Sequence, residues 1–316
     1  AMVLGAPNET GGGAAYVFEK IDGTWQQTAR LVASDRTEND DFGWSVALSG
    51  TRVVVGAPLE DEDATGQNFL DQAGSAYVFE KIDGTWQQTA KLVADVRGEA
   101  DIFGWSVAIS DLTVVVGAPQ ENEDANDGNT LNQAGAAYVF KKVSGTWQQN
   151  KKLVASDREE FDYFGSAVAL SGLVAIVGAP NEDEDATGGN SLESAGAAYA
   201  FVDVGTNWLE AQKLVASDRD GSANFGRSVA ISGTTIVVGA PNDNQDANGG
   251  NALTNAGSAY MFEPGSPFWQ QTAKLVASDR SGSDNFGHSV AVSGTTVVVG
   301  AYNDDDDASG GNPLNQ

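Results

Sequence analysis

One short pattern recurs through the chain at a fixed interval of 61 residues. A Phe-Gly pair, a short apolar run, a tight polar turn, a second apolar run and Gly-Ala-Pro follow one another in that order, with Tyr replacing Pro in the last copy. Five copies keep this frame, and their Phe residues are Phe42, Phe103, Phe164, Phe225 and Phe286. Such a period indicates that each unit is one supersecondary block packed on its neighbours. The chain is therefore predicted to be a repeat protein.

Within one unit, residues 164–219, four segments have the character of β-strands. Strands A and B are predicted at residues 167–170 and 174–177, joined by a tight Ser-Gly hairpin, and strands C and D at 197–202 and 208–216. Strand B is apolar throughout, which is typical of a strand covered on both faces. With no amphipathic helix in the frame, the unit predicts an all-β fold, a β-propeller of four-stranded antiparallel blades.

The strand order also predicts how the blades are arranged. Whole blades are predicted at about residues 42–97, 103–158, 164–219 and 225–280. We interpret residues 1–316 as one domain of five blades, in which 286–316 completes a partial blade at 1–35 and leaves residues 1 to about 13 redundant. Closure of this kind removes exposed strand edges, and it predicts a monomer. The alternative is a piece of a longer open array, which predicts an oligomer.

Composition narrows the classes of partner. The formal net charge is -27, so nucleic acid and anionic membrane surfaces, which attract basic proteins, are not expected as partners. No apolar run has the length of a membrane span, and no signal peptide is visible. With no cysteine, the chain can form neither disulfides nor a thiol nucleophile.

The motifs Phe-Gly-x-Ser-Val-Ala, Val-Gly-Ala-Pro and Ala-Tyr-Val-Phe, with an acidic loop before the last, resemble the FG-GAP repeats of integrin α-subunit propellers and of bacterial-type relatives. The resemblance covers essentially the whole chain. It implies a propeller displayed outside cells or at the cell surface, used for adhesion or protein recognition, often with bound calcium. Integrin propellers have more blades and carry calcium in an Asp-rich loop between strands A and B. Here that hairpin is too short, as at residues 232–235, so this site is expected to be absent.

The acidic residues lie instead in the loop between strands B and C. Alternating carboxylates and amides can supply the six to eight or so oxygens that calcium prefers, so calcium is a candidate ligand. The candidate metal ligands are Asp61, Asp63, Asn122, Asp124, Asp183, Asp185, Asn190, Asn244, Asp246, Asp305 and Asp307. Two other interpretations remain open. The unvarying Asp of this loop organises the turn by accepting backbone amides or by pairing with a recurrent Arg such as Arg97, and the glutamates and outer aspartates, which vary, are simply solvated.

A possible contact surface lies at the residue after each Phe-Gly pair, where the first strand begins at the mouth of the propeller channel. The residues there, or just before the pair, vary between copies, and the candidates are Trp44, Trp105, Tyr163, Arg227 and His288. Aromatic residues and Arg are the usual anchors of interfaces. In integrins the corresponding face receives a side chain of the partner subunit. The alternative is drift at tolerant positions.

Catalysis has little support in the sequence. His288 is the single histidine, and identical repeats give no reason for one carboxylate pair to acquire split pKa values. We therefore predict a non-enzymatic extracellular recognition or adhesion propeller that binds a protein or glycan ligand at the channel mouth. One alternative is a carbohydrate-binding propeller that uses the Trp residues, and another is a structural array or truncated fragment with no ligand of its own.

Overall fold

The structure, a computed structural model, describes residues 1–250, 252–266 and 268–305. The chain divides into two compact units, Ala1–Gly172 and Leu173–Gln316, and each is described by itself. Every helix or strand assigned in the described ranges is a β-strand. No helix that could cross a membrane occurs among these residues.

The first unit contains twelve strands. They are β1 (Met2–Ala6), β2 (Ala14–Ile21), β3 (Thr24–Leu31), β4 (Ser45–Ser49), β5 (Arg52–Ala57), β6 (Ser75–Ile82), β7 (Thr85–Leu92), β8 (Ser106–Ser110), β9 (Thr113–Ala118), β10 (Ala136–Val143), β11 (Thr146–Leu153) and β12 (Ala167–Ser171). Antiparallel sheets form in the orders β1-β2-β3, β4-β5-β6-β7 and β8-β9-β10-β11. Each complete sheet is one predicted A-B-C-D blade.

The second unit repeats this plan. Its strands are β13 (Val174–Ala179), β14 (Ala197–Asp203), β15 (Trp208–Leu214), β16 (Ser228–Ser232), β17 (Thr235–Ala240), β18 (Ser258–Pro264), β19 (Trp269–Leu275), β20 (Phe286–Ser293) and β21 (Thr296–Ala301). Strand β14 pairs with β13 and β15, β16 to β19 form a four-stranded sheet, and β20 pairs with β21. The prediction of an all-β fold built from four-stranded antiparallel blades is confirmed.

The first strand corrects one expectation. Residues 2–6 form β1, which pairs with β2 from Met2 opposite Phe18 to Ala6 opposite Ala14. This segment therefore has an ordered place at the B position of the first sheet, and it is not redundant as predicted. The single domain and the closure of the array between the ends of the chain stay predictions.

The core lies where consecutive blades face each other. In the first unit Val54 of β5 and Val78 of β6 cluster with Val107, Val114 and Tyr138 of the following blade. The B strands are enclosed because they lie between strands A and C within the sheet and between blades across it, and residues 53–55 are fully buried. Burial of each such Val contributes about 2 kcal/mol. This enclosure on both faces explains why the B strands are apolar in the sequence.

The Phe-Gly and Gly-Ala-Pro motifs meet at the joint between blades. Phe103 is buried against the Tyr138 and Phe140 rings, with centroid separations of 5.4 and 5.9 Å. Gly104 follows with a φ of +96°, and a Cβ placed on Gly56 of the preceding blade would lie 2.0 Å from the Gly104 carbonyl oxygen. Only glycine permits this approach of two backbones. The recurring glycines therefore seal the joint between neighbouring blades.

Candidate ligand-binding surface and acidic loops

The turn after Phe-Gly carries two tryptophans in the first unit. The backbone amides of Trp44 and Trp105 donate to the carbonyl oxygens of Asp41 and Ile102, at 3.0 and 3.1 Å. This shared geometry brings the indole rings of consecutive blades together, with centroids 4.6 Å apart and planes inclined by 43°. The Trp44 side chain is 44% exposed. The structure thus joins two of the five predicted contact residues into one aromatic pair that is open to solvent.

The residue before Phe-Gly has a left-handed backbone in every copy. Its φ values are 56° at Asp41, 51° at Ile102, 56° at Tyr163, 52° at Asn224 and 55° at Asn285. Asn tolerates this conformation best, whereas other non-glycine residues pay about 1–2 kcal/mol and a β-branched residue is a genuine outlier. Ile102 and Tyr163 therefore occupy positions that strain them.

Tyr163 is held by its side chain as well. Its hydroxyl donates to the Gln133 carbonyl oxygen (Oε1) at 2.6 Å, and its ring is half-buried. Two residues earlier, Phe161 also has a left-handed φ, 70°, while its side chain is 45% exposed. An exposed aromatic side chain on a strained backbone gains little from burial. Strain that burial does not repay is a feature of functional sites.

Arg227 and His288 occupy the turn after Phe-Gly in the second unit. Arg227 precedes β16, His288 lies at the start of β20, and these two strands pack side by side. The His288 ring stacks on the exposed Tyr302 ring at 4.9 Å. Burial, and then the positive charge of Arg227, lower the pKa of His288. The structure therefore places these two predicted contact residues near each other.

A ladder of asparagine amides lies beside these turns in the second unit. Each Asn before Phe-Gly exchanges hydrogen bonds with the Asn after Ala-Pro or Ala-Tyr on either side. The Nδ2–H···Oδ1 bonds run from Asn303 to Asn285 (2.8 Å), Asn285 to Asn242 (3.0 Å), Asn242 to Asn224 (2.6 Å) and Asn224 to Asn181 (3.2 Å). The ladder cannot be predicted from the sequence pattern, because its partners are 18 and 43 residues apart.

In the acidic loops, the unvarying Asp organises the turn. The Asp63 Oδ1 atom accepts the Thr65 amide at 2.7 Å and the Gln67 amide at 3.2 Å, while Oδ2 accepts from the Asn68 side chain. The Thr65 hydroxyl, which also donates to Oδ1 at 2.6 Å, and then these donors hold the pKa of Asp63 well below its usual range. The same amide contacts recur at Asp124, Asp185 and Asp246, and Asn190 donates to Asp185.

The other predicted ligands in these loops also bind the loop itself. The Asp61 Oδ1 atom accepts the backbone amide of Gln72 at 2.7 Å, and Asn122, Asp183 and Asn244 accept the equivalent amide. The recurrent Arg bonds to the backbone of the loop. Arg97 donates to the backbone oxygens of Asn68 and Asp61, at 2.7 and 2.6 Å. The charge of Asp63 also acts on Arg97, so the Arg interacts electrostatically with the unvarying Asp in addition to its bonds to carbonyls.

These contacts bear on the fit of calcium. In the described loops the side-chain oxygens point at N–H donors of their own turn instead of converging on one point. Within residues 1–250, 252–266 and 268–305, no three Asp, Glu, His or Cys side chains are grouped so that they could hold a metal ion. Asp305 is among the described residues, and Asp307 lies outside them. This loop conformation fits the role of turn organiser better than that of a calcium cage, and calcium binding stays a prediction.

In four of the acidic loops one acidic residue is buried, which corrects the expectation that the glutamates are solvated. Glu60 is 0% exposed, accepts the Tyr77 hydroxyl at 2.7 Å and pairs with the Lys91 ammonium at 3.2 Å. Burial opposes the charge on Glu60, but bonds from Glu62 and Tyr77 and the charge of Lys91 outweigh it, so its pKa is lowered. Acid, Tyr and Lys recur as Glu121–Tyr138–Lys152, Glu182–Tyr199–Lys213 and Asp243–Tyr260–Lys274.

A second acid lies beside the buried one in the first unit. A hydrogen bond to Glu60, and then burial, raise the pKa of Glu62 to about 7, and Glu121 does the same for Glu123. Each pair therefore shares a proton near neutral pH. The second unit has Glu184 next to Glu182, whereas Gln245 stands at this position next to Asp243, and its amide can donate permanently where the glutamates donate only when protonated. The exchange of Glu for Gln at equivalent positions is the feature of the sequence that indicates a hydrogen-bond donor beside the buried acid.

Comparison with known proteins agrees with the repeat frame. The family model described as FG-GAP repeat matches residues 25–79, 86–140, 147–201, 208–262 and 269–312. No curated protein matches the chain. The first four matched segments begin on a D strand and end on the next C strand, so they span the joint between blades. With the larger part of its length matched and its blades built as described, the chain belongs to the FG-GAP repeat family.

Proposed function

We propose that this protein is a non-enzymatic recognition module that acts in adhesion outside the cell, and that its contact surface includes the Trp44–Trp105 pair. The observation that carries this proposal is the close contact of two tilted indole rings, with centroids 4.6 Å apart and the Trp44 ring 44% exposed. Trp is enriched among the residues that dominate binding energy, because it offers a large apolar face and one N–H donor.

The strained turns support the same surface. Ile102, which accepts the Trp105 amide, has a left-handed backbone that the Asn residues of the second unit adopt at lower cost. The Ile102 side chain is buried, and this packing holds the strained turn that carries Trp105. The principal ligand class is a protein. A glycan is the second candidate, because exposed indole faces also suit stacking on the apolar faces of sugar rings.

The experiment compares the full chain with the Trp44→Ala/Trp105→Ala double variant on two surfaces. One is a glycan microarray, and the other is a panel of purified extracellular-matrix proteins studied by surface plasmon resonance. We expect the wild type to bind on one of the two surfaces and the double variant to lose at least about tenfold in affinity, as for truncation of an interface anchor.

Trp25→Ala is the matched control. Trp25 is 51% exposed on β3, away from the turn after Phe-Gly, and its removal should leave binding unchanged. Binding on the array alone would identify a glycan ligand, and binding to a matrix protein alone would identify an adhesin. The proposal is overturned if neither surface is bound, or if the double variant binds as the wild type does.

Calcium is tested separately by thermal melting of chelator-treated protein with about 2 mM calcium or magnesium, since a ligand of the folded state raises the melting temperature. Because both carboxylate oxygens of Asp63 already accept hydrogen bonds, we expect a calcium-specific rise below about 1 °C. A calcium-specific rise of several degrees would instead show that the loops rearrange into a metal site that stabilises the protein.

A further inference from the structure

Arg227 differs from the other half-buried arginines in the described part of the chain. Arg52 pairs with Glu80, and Arg97, Arg158, Arg219 and Arg280 donate to backbone carbonyls. In the described residues no hydrogen bond or ion pair is formed by the Arg227 guanidinium, and burial lowers its pKa. In a chain of net charge -27, a half-buried cation without a carboxylate partner is an unusual arrangement.

Among the described residues, burial alone shifts the pKa of Arg227, and no carboxylate charge acts on it. His288 lies on the neighbouring strand and feels the charge of Arg227, and Tyr302, after β21, covers one face of the imidazole. The residue before Phe-Gly, which is Asp41 in the first blade, is Asn224 or Asn285 here, and both amides are already engaged in the ladder. The turn therefore presents two nitrogen-bearing side chains with no carboxylate bound to either in the described residues.

We propose that Arg227 and His288 form a binding site for one oxyanion of the ligand, a carboxylate or a sulfate group. The guanidinium offers a planar fork of N–H donors that matches two oxygens of such a group, and the imidazole can add a third donor. Partial burial strengthens these charge-assisted bonds. The proposal rests on the proposed function in that it assigns ligand chemistry to the turns after Phe-Gly, and it gives this acidic protein a local preference for an acidic ligand.

His288 makes the site directly observable because it is the single histidine of the chain. The pKa of its imidazole is measured by NMR of the labelled full chain in chloride, sulfate and acetate at matched ionic strength. Among the described residues, the charged and titratable groups that act on it or contact it are Arg227 and Tyr302. An oxyanion bound between the two cations favours the imidazolium, so we expect the pKa to be higher by about 0.5 to 1 in sulfate or acetate than in chloride.

Three variants separate binding from general electrostatics. Arg227→Gln should bring the pKa of His288 closer to its ordinary value in chloride and abolish the difference between anions. Arg227→Lys keeps the charge without the fork, so the pKa should stay low in chloride while the anion effect falls at least about threefold, since a single ammonium cannot bind bidentately. Arg36→Gln, at an exposed arginine of the first unit, should change neither quantity.

The measurements in sulfate and in acetate identify which kind of ligand supplies the oxyanion. A response to sulfate alone indicates a sulfated glycan, and a response to acetate indicates an acidic side chain or a uronic acid. Equal pKa values in all three salts, or an anion effect that survives in Arg227→Gln, would overturn the proposal. The pKa of His288 does not depend on Trp44 or Trp105. The anion effect can therefore be absent while the aromatic surface binds its ligand, and it can be present while that surface binds nothing on either panel.

Discussion

Before Phe-Gly, the first unit carries Asp41, Ile102 and Tyr163, whereas the second carries Asn224 and Asn285 on the same left-handed backbone. The two sets share one backbone geometry, but they differ in what offsets the conformational free energy of a left-handed φ. Asn adopts the conformation readily and adds amide bonds to its neighbours, while Ile and Tyr do neither. The fold therefore requires the left-handed backbone conformation at this position, whereas it accepts different side chains there.

The residue after Ala-Pro follows the same division. It is Leu59 and Gln120 in the two complete blades of the first unit, Asn8 in its incomplete first sheet, and Asn181 and Asn242 in the second unit. In the two complete blades of the first unit, which carry the Trp44–Trp105 pair, Leu59 and Gln120 thus stand where the second unit has side chains of the amide ladder. We interpret the second unit as the one whose turns are stabilised by the amide ladder. The first unit keeps strained turns in the blades that carry the proposed contact surface.

The largest effect is expected when the ladder is broken with the residue of the first unit. Asn242→Leu removes the bond donated to Asn224 and the bond accepted from Asn285. Two lost bonds that leave half-buried amides without these partners should cost about 2 kcal/mol. The free energy of unfolding is measured by urea denaturation. Leu59→Asn is the matched control and should change it by less than about 1 kcal/mol, because no ladder depends on Leu59. Equal losses in both variants would remove the proposed distinction between the units.

The reverse exchange at a strained turn should have a smaller effect. Ile102→Asn relieves about 1 kcal/mol of backbone strain but gives up about 2 kcal/mol of apolar burial, so a net loss of about 1 kcal/mol is expected. Adding Leu59→Asn supplies an amide at the position equivalent to Asn181, and a double-mutant cycle by urea denaturation should show favourable coupling. If Ile102→Asn alone stabilised the protein, strain and not packing would dominate this position.

Phe161 offers a gain in stability. Its φ of 70° is unfavourable and its side chain is 45% exposed, so Phe161→Asn should stabilise the protein by about 0.5–1 kcal/mol, as a rise in melting temperature. Ala100 has a φ of 62° and is also exposed, and Ala100→Asn should give a similar rise. A fall in both variants would mean that these turns are not strained.

The smallest effect is a change in pH dependence. The folded protein holds a proton on Glu123 up to about pH 7, whereas the unfolded chain releases it near the ordinary pKa of 4.5. The folded state therefore binds more protons between these values, and stability falls as pH rises through this window. Glu123→Gln, which copies Gln245, should remove part of that fall, seen as a melting temperature that exceeds the wild type at pH 8 and matches it near pH 4.5. Glu99→Gln, at an exposed position, should follow the wild type throughout.

The sequence was sufficient to predict the blades, because five copies report the same pattern. Strand A of the third whole blade was predicted at residues 167–170 and is Ala167–Ser171, and strand D was predicted at 208–216 and is Trp208–Leu214. The proximity of Trp44 and Trp105 follows from the same frame, because equivalent residues of consecutive blades are neighbours.

The buried carboxylates were beyond this kind of inference. Glu60 lies in a run of four acids, which indicates a solvated loop, and its partner Tyr77 is 17 residues away on another strand. Only the folded sheet shows that one acid of the four points inward. The same limit applies to the amide ladder, whose members belong to different loops and meet only after the blades have packed.

At each joint two glycines of neighbouring blades lie in contact, as Gly56 and Gly104 do. Positions at these joints and positions at the turns beside them therefore tolerate substitution differently. At the joint, a substitution in one blade must be tolerated by the backbone of the next, so all copies are held to one residue. At the turns beside it, each blade is free to change alone. An array of this design can exchange its ligand by substituting a few exposed residues, or by duplicating a blade that carries them, while its assembly chemistry stays constant.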